Sequence, residues 1–188
     1  MDISTDKAAL RRRLYALRRQ AHRDRQGAAE AARDHALAGG LFSGAGIVAG
    51  YRPIRTELDP TPLMTALSRQ GARLCVPVIE GEGRPLAFRE WTPETAMVPG
   101  AFGAEIPAEG AWLTPEALIV PLVGFDAGGW RLGYGGGFYD RTLARLRAGR
   151  GAVAVGLAYA AQRMEAVPRE PTDARLDAVV TEAGVIRP

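Results

Sequence analysis

The sequence predicts an α/β fold: a single domain over residues 1–188, with a mainly parallel sheet covered by helices on both faces. Three observations predict it. Apolar, strand-like runs alternate along the chain with helical patterns, the order that builds a parallel sheet. The 188 residues are 47% hydrophobic and 24% charged, ordinary for a globular chain large enough to bury one core. An apolar run at 117–123 leads into a loop with glycine at four of the five positions 133–137, and a helical pattern follows.

The elements can be justified in order. Residues 4–20 read as a helix, with Ser4 or Thr5 as its cap and Leu10, Leu14 and Leu17 at helical spacing. Residues 26–38 form a second, alanine-rich helix closed by Gly39 and Gly40. A short buried strand covers 46–51. The helix 60–70 has Pro60 and Pro62 in its first turn and Gly71 as its stop. Strand 73–78 follows, and 85–91 alternates like a strand with one wet face. Residues 92–116, rich in proline and glycine, read as a long irregular connection. Then come strand 117–123, the glycine loop, helix 137–147 and strand 152–157. A turn-rich segment around Pro168 and Pro171 leads to a last strand, 178–181. In such sheets ligands sit outside the carboxyl ends of the strands. Three segments leave strands there: 52–59, 125–140 and 158–173.

Composition excludes several functions. No apolar run has membrane-spanning length. The N-terminus is polar and arginine-rich, unlike a secretory signal. Cys75 has no partner for an internal disulfide and reads as a buried thiol of a cytoplasmic protein. One cysteine and two histidines, His22 and His35, do not make a closed zinc set. The net charge of +3 is uneven, because residues 1–25 hold eight Lys and Arg against three acids. That surplus suits a solvated helix face or the attraction of an anionic small molecule. No nucleic-acid docking motif accompanies it. The chain has 23 arginines and a single lysine, Lys7, a mobile point charge suited to phosphate oxygens.

The glycine loop lets backbone N–H groups point outward next to a helix N-terminus, an arrangement that cradles anions, phosphate above all. It is neither a Walker A motif nor a dinucleotide fingerprint, and taken alone it also fits a tight turn. Asp140, in the first turn of the next helix, suits either the helix dipole or Mg²⁺ beside bound phosphates. Asp173 suits a turn or a second metal carboxylate. Glu57 reads as solvated or as an acceptor for the paired N–H groups of a heterocycle. Tyr159 and Gln162 leave their strand toward the same edge. Arg131 and Arg141 bracket the cradle, to neutralise phosphate or to pair with acids. Tyr134 is expected to line a site, while Trp130, Phe138 and Tyr139 suit the core. The two histidines fall on the N-terminal helices, away from the strand ends, and are expected to be exposed. No Ser–His–Asp set or tuned general base is offered. Glycine backbone, arginine, lysine and aspartate together suit phosphoryl transfer.

These residues carry a resemblance. FDAGGWRLGYGGGFYDR, supported by Lys7-Ala8-Ala9-Leu10-Arg11, YRPIRTELDPTPL, LCVPVI and VGLAYAAQRMEAVPREPTDARLDAVVTE, resembles the 5-formyltetrahydrofolate cyclo-ligase (5,10-methenyltetrahydrofolate synthetase) family over nearly the whole chain. The resemblance implies a three-layer α/β/α sandwich. It also implies ATP- and Mg²⁺-dependent cyclisation of 5-formyltetrahydrofolate to 5,10-methenyltetrahydrofolate, with ADP and phosphate released. Carried over residue by residue, Lys7 and Arg11 would contact ATP phosphates. So would the loop of Arg131, Leu132, Gly133, Tyr134, Gly135, Gly136, Gly137, Phe138 and Tyr139, with Lys7 and Arg131 as the catalytic pair. Asp140 and Asp173 would hold Mg²⁺. Glu57 would grip the pterin, with Arg52 and Tyr134 near the folate and residues 92–116 walling its pocket. Partners would be these two small molecules, with no nucleic acid or membrane, and the chain would act as a monomer in the cytoplasm. Two positions depart from the family pattern. Thr172 stands where many bacterial members have histidine before the metal aspartate, and Phe138-Tyr139-Asp140 replaces Tyr-Tyr-Asp. Two other readings stay open: a non-catalytic module that senses a phosphorylated metabolite, and a paralogous ATP-using enzyme acting on another heterocycle.

Overall fold

The computed structural model describes residues 3–188. The side chains of residues 3–6 and of Phe102 lie outside the described part, and with them the expected capping by Ser4 or Thr5. Helices α1 (Ile3–Asp24) and α2 (Ala28–Ala38) are followed by strand β1 (Ile47–Ala49) and helix α3 (Thr61–Arg69). Strands β2 (Arg73–Val78), β3 (Ala87–Glu90), β4 (Met97–Pro99), β5 (Glu105–Pro107), β6 (Ala117–Pro121), β7 (Gly124–Phe125) and β8 (Arg131–Leu132) come next. Helix α4 (Phe138–Ala148) and strands β9 (Val153–Leu157), β10 (Ala178–Thr181) and β11 (Gly184–Ile186) complete the chain.

The main sheet has the order β11-β10-β9-β6-β1-β2-β3. The five inner strands are parallel, and the two edge strands are antiparallel to their neighbours. Burial explains the apolar runs. In β6, Ala117 and Ile119 face the core under α2 and α3, while Leu118 and Val120 face the core under α4. Each strand residue alternates between two dry layers, so the run is continuous rather than alternating. Fully burying Ile119 or Val120 contributes about 1.5–3 kcal/mol each. Helices α2 and α3 cover one face and α4 the other, the three-layer sandwich expected.

Three features depart from the expectation. Residues 92–116 are not wholly irregular, since β4 and β5 pair antiparallel within them. A second ribbon, β7 with β8, presents the glycine loop. Strand β11 follows a turn after β10 and closes one sheet edge. All are two or three residues long, too short for alternation to show in a sequence.

Helix α1 lies across the carboxyl edge of the sheet, where Leu14 packs with Val123, Leu132 and Val167, while Ala21 near its end joins the core under α2 and α3. Its buried positions are Lys7, Leu14, Arg18 and Ala21, on one helix face. Leu17, expected in an apolar stripe, is 38% exposed, and Leu10 is only partly buried. The surface beneath α1 is a polar strand edge, so the face it buries is part cation.

Candidate active site

The exits of β1, β6 and β9 and the underside of α1 converge on one region. Lys7 Nζ lies 3.2 Å from Asp173 Oδ2 and 3.5 Å from Glu170 Oε1. One turn on, Arg11 Nε donates to the carbonyl oxygen of Gly133 at 2.9 Å. A further two turns on, Arg18 reaches the loop after β1 and the hydroxyl of Tyr134. One helix face thus touches all three segments expected to leave the strands at this edge.

The glycine loop is anchored at both ends. Before it, the buried carboxylate of Asp126 accepts backbone N–H groups from Gly128 (2.9 Å), Trp130 (3.1 Å) and Val167 (2.9 Å), fixing the β7–β8 ribbon. After it, Gly137 adopts φ +63° and begins α4 without a side-chain cap. The N-terminus of α4 thus opens at the end of the glycine loop, the kind of place where anions bind. Arg141 braces the outside by donating to the Gly136 carbonyl at 2.6 Å. A Cβ at Gly137 would lie 2.6 Å from Arg141 Nη1, the mobile end of that side chain. Gly137→Ala is expected to cost about 1–2 kcal/mol through left-handed backbone strain. That lowers the melting temperature by roughly 2–8 °C for a chain of this size. An unchanged thermal transition would show that the turn does not need glycine.

The two aspartates are neighbours through the backbone. Asp140 Oδ1 accepts from Arg131 Nη2 at 2.6 Å and from the Ala174 N–H at 2.9 Å. Arg131, buried, also donates to the Ala174 carbonyl. Asp173 Oδ2 accepts from Lys7 and, at 2.8 Å, from the Glu170 N–H. Among the described residues, the hydrogen bonds of each carboxylate fall on a single oxygen. A pair of such carboxylates fits Mg²⁺, which takes one or two of them and fills its octahedron with water and phosphate oxygens. The pair is too sparse for a closed protein cage, and among the described residues no cluster of three acidic, histidine or cysteine ligands occurs.

Glu57 is 6% exposed. Its Oε2 accepts the Ile54 N–H at 2.8 Å, and its Oε1 accepts from the Tyr134 hydroxyl. Burial pushes its carboxyl above the ordinary value, opposed by those two hydrogen bonds and by the charges of Arg18 and Arg55. Tyr134 is raised mainly by burial of its hydroxyl and then by the charge of Glu57. The Tyr139 hydroxyl is buried and, among the described residues, has no hydrogen-bond partner. Arg52 lies with its guanidinium 5.5 Å from the centre of the Trp91 ring and 4.0 Å from Glu105 on β5. Its Nε is buried and also unpartnered among the described residues. The 92–116 segment therefore reaches the β1 exit.

A model of the 5-formyltetrahydrofolate cyclo-ligase family matches residues 3–182. The chain belongs to that family. It is 37% identical to the cyclo-ligase of Escherichia coli strain K12 over 144 residues, 73% of this chain and 79% of that protein. It is 34% identical to the cyclo-ligase of Mycolicibacterium smegmatis over 167 residues, 84% of this chain and 83% of that one. Among solved structures, the 5,10-methenyltetrahydrofolate synthetase of Aquifex aeolicus superposes with a TM-score of 0.80 at 32% identity. That match covers 96% of this chain and 92% of the other. The chain is thus an enzyme of this family, and none of its described helices is long and apolar enough to cross a membrane.

The structure brings together Lys7, Arg11, Arg131, the glycine loop, Asp140 and Asp173, the residues the resemblance assigns to phosphate and metal. Four others sit differently from the expectation. Gln162 turns into the core, its amide donating to the carbonyls of Leu122 (2.9 Å) and Val123 (3.0 Å), so it pins the end of β6. His22 is exposed but not remote from the strand ends, because its Nδ1 lies 3.1 Å from the hydroxyl of Tyr159. Phe138 and Tyr139 pack against the core only in part. Cys75 is the buried thiol expected, with burial pushing it up to about 12, which makes it inert. Two residues escaped the sequence reading. Asp126 stood in the quoted motif without a role. Arg18 carried a usable signal: with Lys7 and Arg11 it sits at i, i+4 and i+11, a stripe of cations on one helix face.

Proposed function

We propose that this chain converts 5-formyltetrahydrofolate to 5,10-methenyltetrahydrofolate in the cytoplasm, consuming ATP and using Mg²⁺. One observation carries the reading. Lys7, Arg11, the glycine loop and two aspartates, drawn from both ends of the chain, meet at the carboxyl edge of the sheet beside a buried glutamate.

The N5-formyl group is amide-like and a weak electrophile. Its oxygen takes the γ-phosphoryl group from ATP, and ADP leaves. N10 attacks the formyl carbon, closing the five-membered ring, and the N10 proton passes to solvent. The carbon–oxygen bond then breaks, and phosphate departs with the former formyl oxygen. Phosphoryl transfer of this kind depends on positioning and charge stabilisation rather than on a protein nucleophile. Lys7, Arg11 and Arg131, with the backbone of residues 132–139, hold the triphosphate. Mg²⁺ held by Asp140 and Asp173 would supply charge neutralisation at the phosphate oxygens. Ionised Glu57 accepts the paired N–H groups of the pterin. Tyr134 lines that pocket and Arg52 stands at its wall. The hydroxyl of Tyr139 and Nε of Arg52, buried and without a hydrogen-bond partner among the described residues, are groups that bound substrate can satisfy.

The test is direct. Purified protein mixed with 5-formyltetrahydrofolate and Mg-ATP is expected to produce methenyl absorbance in the near ultraviolet. Removing ATP, or chelating the metal, is expected to abolish the signal. A flat trace beside an active reference enzyme overturns the proposal.

A further inference from the structure

Arg18 is 1% exposed, a charge withdrawn almost wholly from water. Burying a guanidinium is costly unless it is paired and hydrogen-bonded. Its polar partners are the residues gathered around Glu57. Nε donates to Thr56 Oγ1 at 3.2 Å, and Nη1 donates to the Tyr134 hydroxyl. Nη1 also stands 4.0 Å from Glu57 Oε1. The guanidinium carbon lies 5.4 Å from the centre of the Tyr15 ring and 5.7 Å from that of Tyr134. Tyr134 in turn donates its own proton to Glu57 Oε1. Arginine, phenol and carboxylate therefore form one chain that links α1, the glycine loop and the loop after β1.

We propose that Arg18 is a positioning residue for folate binding: directly and through Tyr134, it holds Glu57 ionised and aimed at the heterocycle. The proposal rests on Glu57 being the pterin acceptor. A protonated Glu57 would present a donor where the pterin also presents donors. Burial drives the carboxyl toward that state. Against burial stand the Ile54 N–H, the Tyr134 hydroxyl, Arg18 from α1 and Arg55 from its own loop. The phenols of Tyr51 and Tyr139 also interact with its charge. Arg55 is exposed, so water and salt screen it. Arg18 is the buried cation of the set, and its charge acts with little screening.

The test uses the full chain in steady-state kinetics, with each substrate varied in turn across the acid side of the pH profile. Arg18→Met is expected to raise the KM for 5-formyltetrahydrofolate about tenfold or more, through the loss of a charged hydrogen bond. The KM for ATP is expected to stay unchanged. Losing the cation raises the Glu57 carboxyl further, so its ionised form disappears at a higher pH. The acid limb of kcat/KM for folate should therefore move upward in pH. Arg18→Lys is expected to restore the limb and only part of the affinity, because an ammonium lacks the planar fork. In a Glu57→Gln background, Arg18→Met is expected to move no limb. An unchanged folate KM and limb in folded Arg18→Met overturns the proposal, as does an equal loss for both substrates. If Arg18→Met does not fold, Arg18→Lys decides: a raised folate KM at constant ATP KM supports the proposal, and an unchanged folate KM overturns it. A wild-type protein without turnover would instead strike the proposed function itself.

Discussion

Asp140→Asn is expected to lower turnover by at least about 10²-fold while the protein stays folded, because a lost metal contact removes several kcal/mol of transition-state stabilisation. The choice of asparagine follows from the hydrogen bonds. Arg131 Nη2 and the Ala174 N–H both donate to the same oxygen of Asp140. An asparagine carbonyl can accept from both, so the change removes charge and leaves the contacts. Asp140→Ala is a poorer probe. It strips a buried guanidinium of its carboxylate, and Arg131 is 4% exposed at its side chain. That loss costs about 1–3 kcal/mol of stability and confuses folding with chemistry. Turnover against Mg²⁺ concentration, with a thermal melt beside it, separates the two. The asparagine variant should need far more metal, with a melting temperature lowered less than that of the alanine variant because its hydrogen bonds remain. Wild-type turnover and metal dependence would remove Asp140 from the metal site.

Lys7→Met is expected to cost about 10²–10³-fold in turnover, the size of losing one group that stabilises transition-state charge. Methionine keeps much of the buried stem and drops the ammonium. In the structure that ammonium faces Asp173 and Glu170, and Glu170 is half exposed. The pair with Glu170 therefore contributes about 1 kcal/mol or less to folding, while losing the more buried pair with Asp173 costs about 1–3 kcal/mol. A kinetic defect well beyond that stability loss is the signature of a ligand-facing charge. Calorimetry with ATP and single-turnover kinetics check it. ATP affinity and turnover both equal to wild type would place Lys7 outside the site.

The site was legible to different depths. The glycine loop announced itself because few side chains tolerate the backbone it needs, and Gly135 and Gly137 do take positive φ. Lys7 stood out because every other basic residue except the histidines is arginine. Asp140 was placed by its distance from the loop. Arg18, among the most buried side chains of the protein, showed in the sequence only through its spacing from Lys7 and Arg11 and not through hydrophobicity. Hydrophobic periodicity finds faces that bury carbon. Helix α1 buries its cations against hydroxyls, a carbonyl and carboxylates, and such a face reads as solvated. Gln162 differs in the opposite direction: the sequence sends it toward the ligand edge with Tyr159, but the carbonyls of Leu122 and Val123 at the end of β6 accept its amide and hold it in the core.

By itself, the order of apolar runs and helical patterns determined a mostly parallel sheet with helices on both faces. That information is local: a strand buried on both sides must be apolar throughout, and a helix with one dry face must repeat near 3.6 residues. The tertiary structure alone decided the strand order, the placing of α1 across the carboxyl edge, and the pairing of Arg18 with Tyr134 and Glu57. Those depend on which distant segments meet, and the cost of burying a charge is known only once its partners are in place.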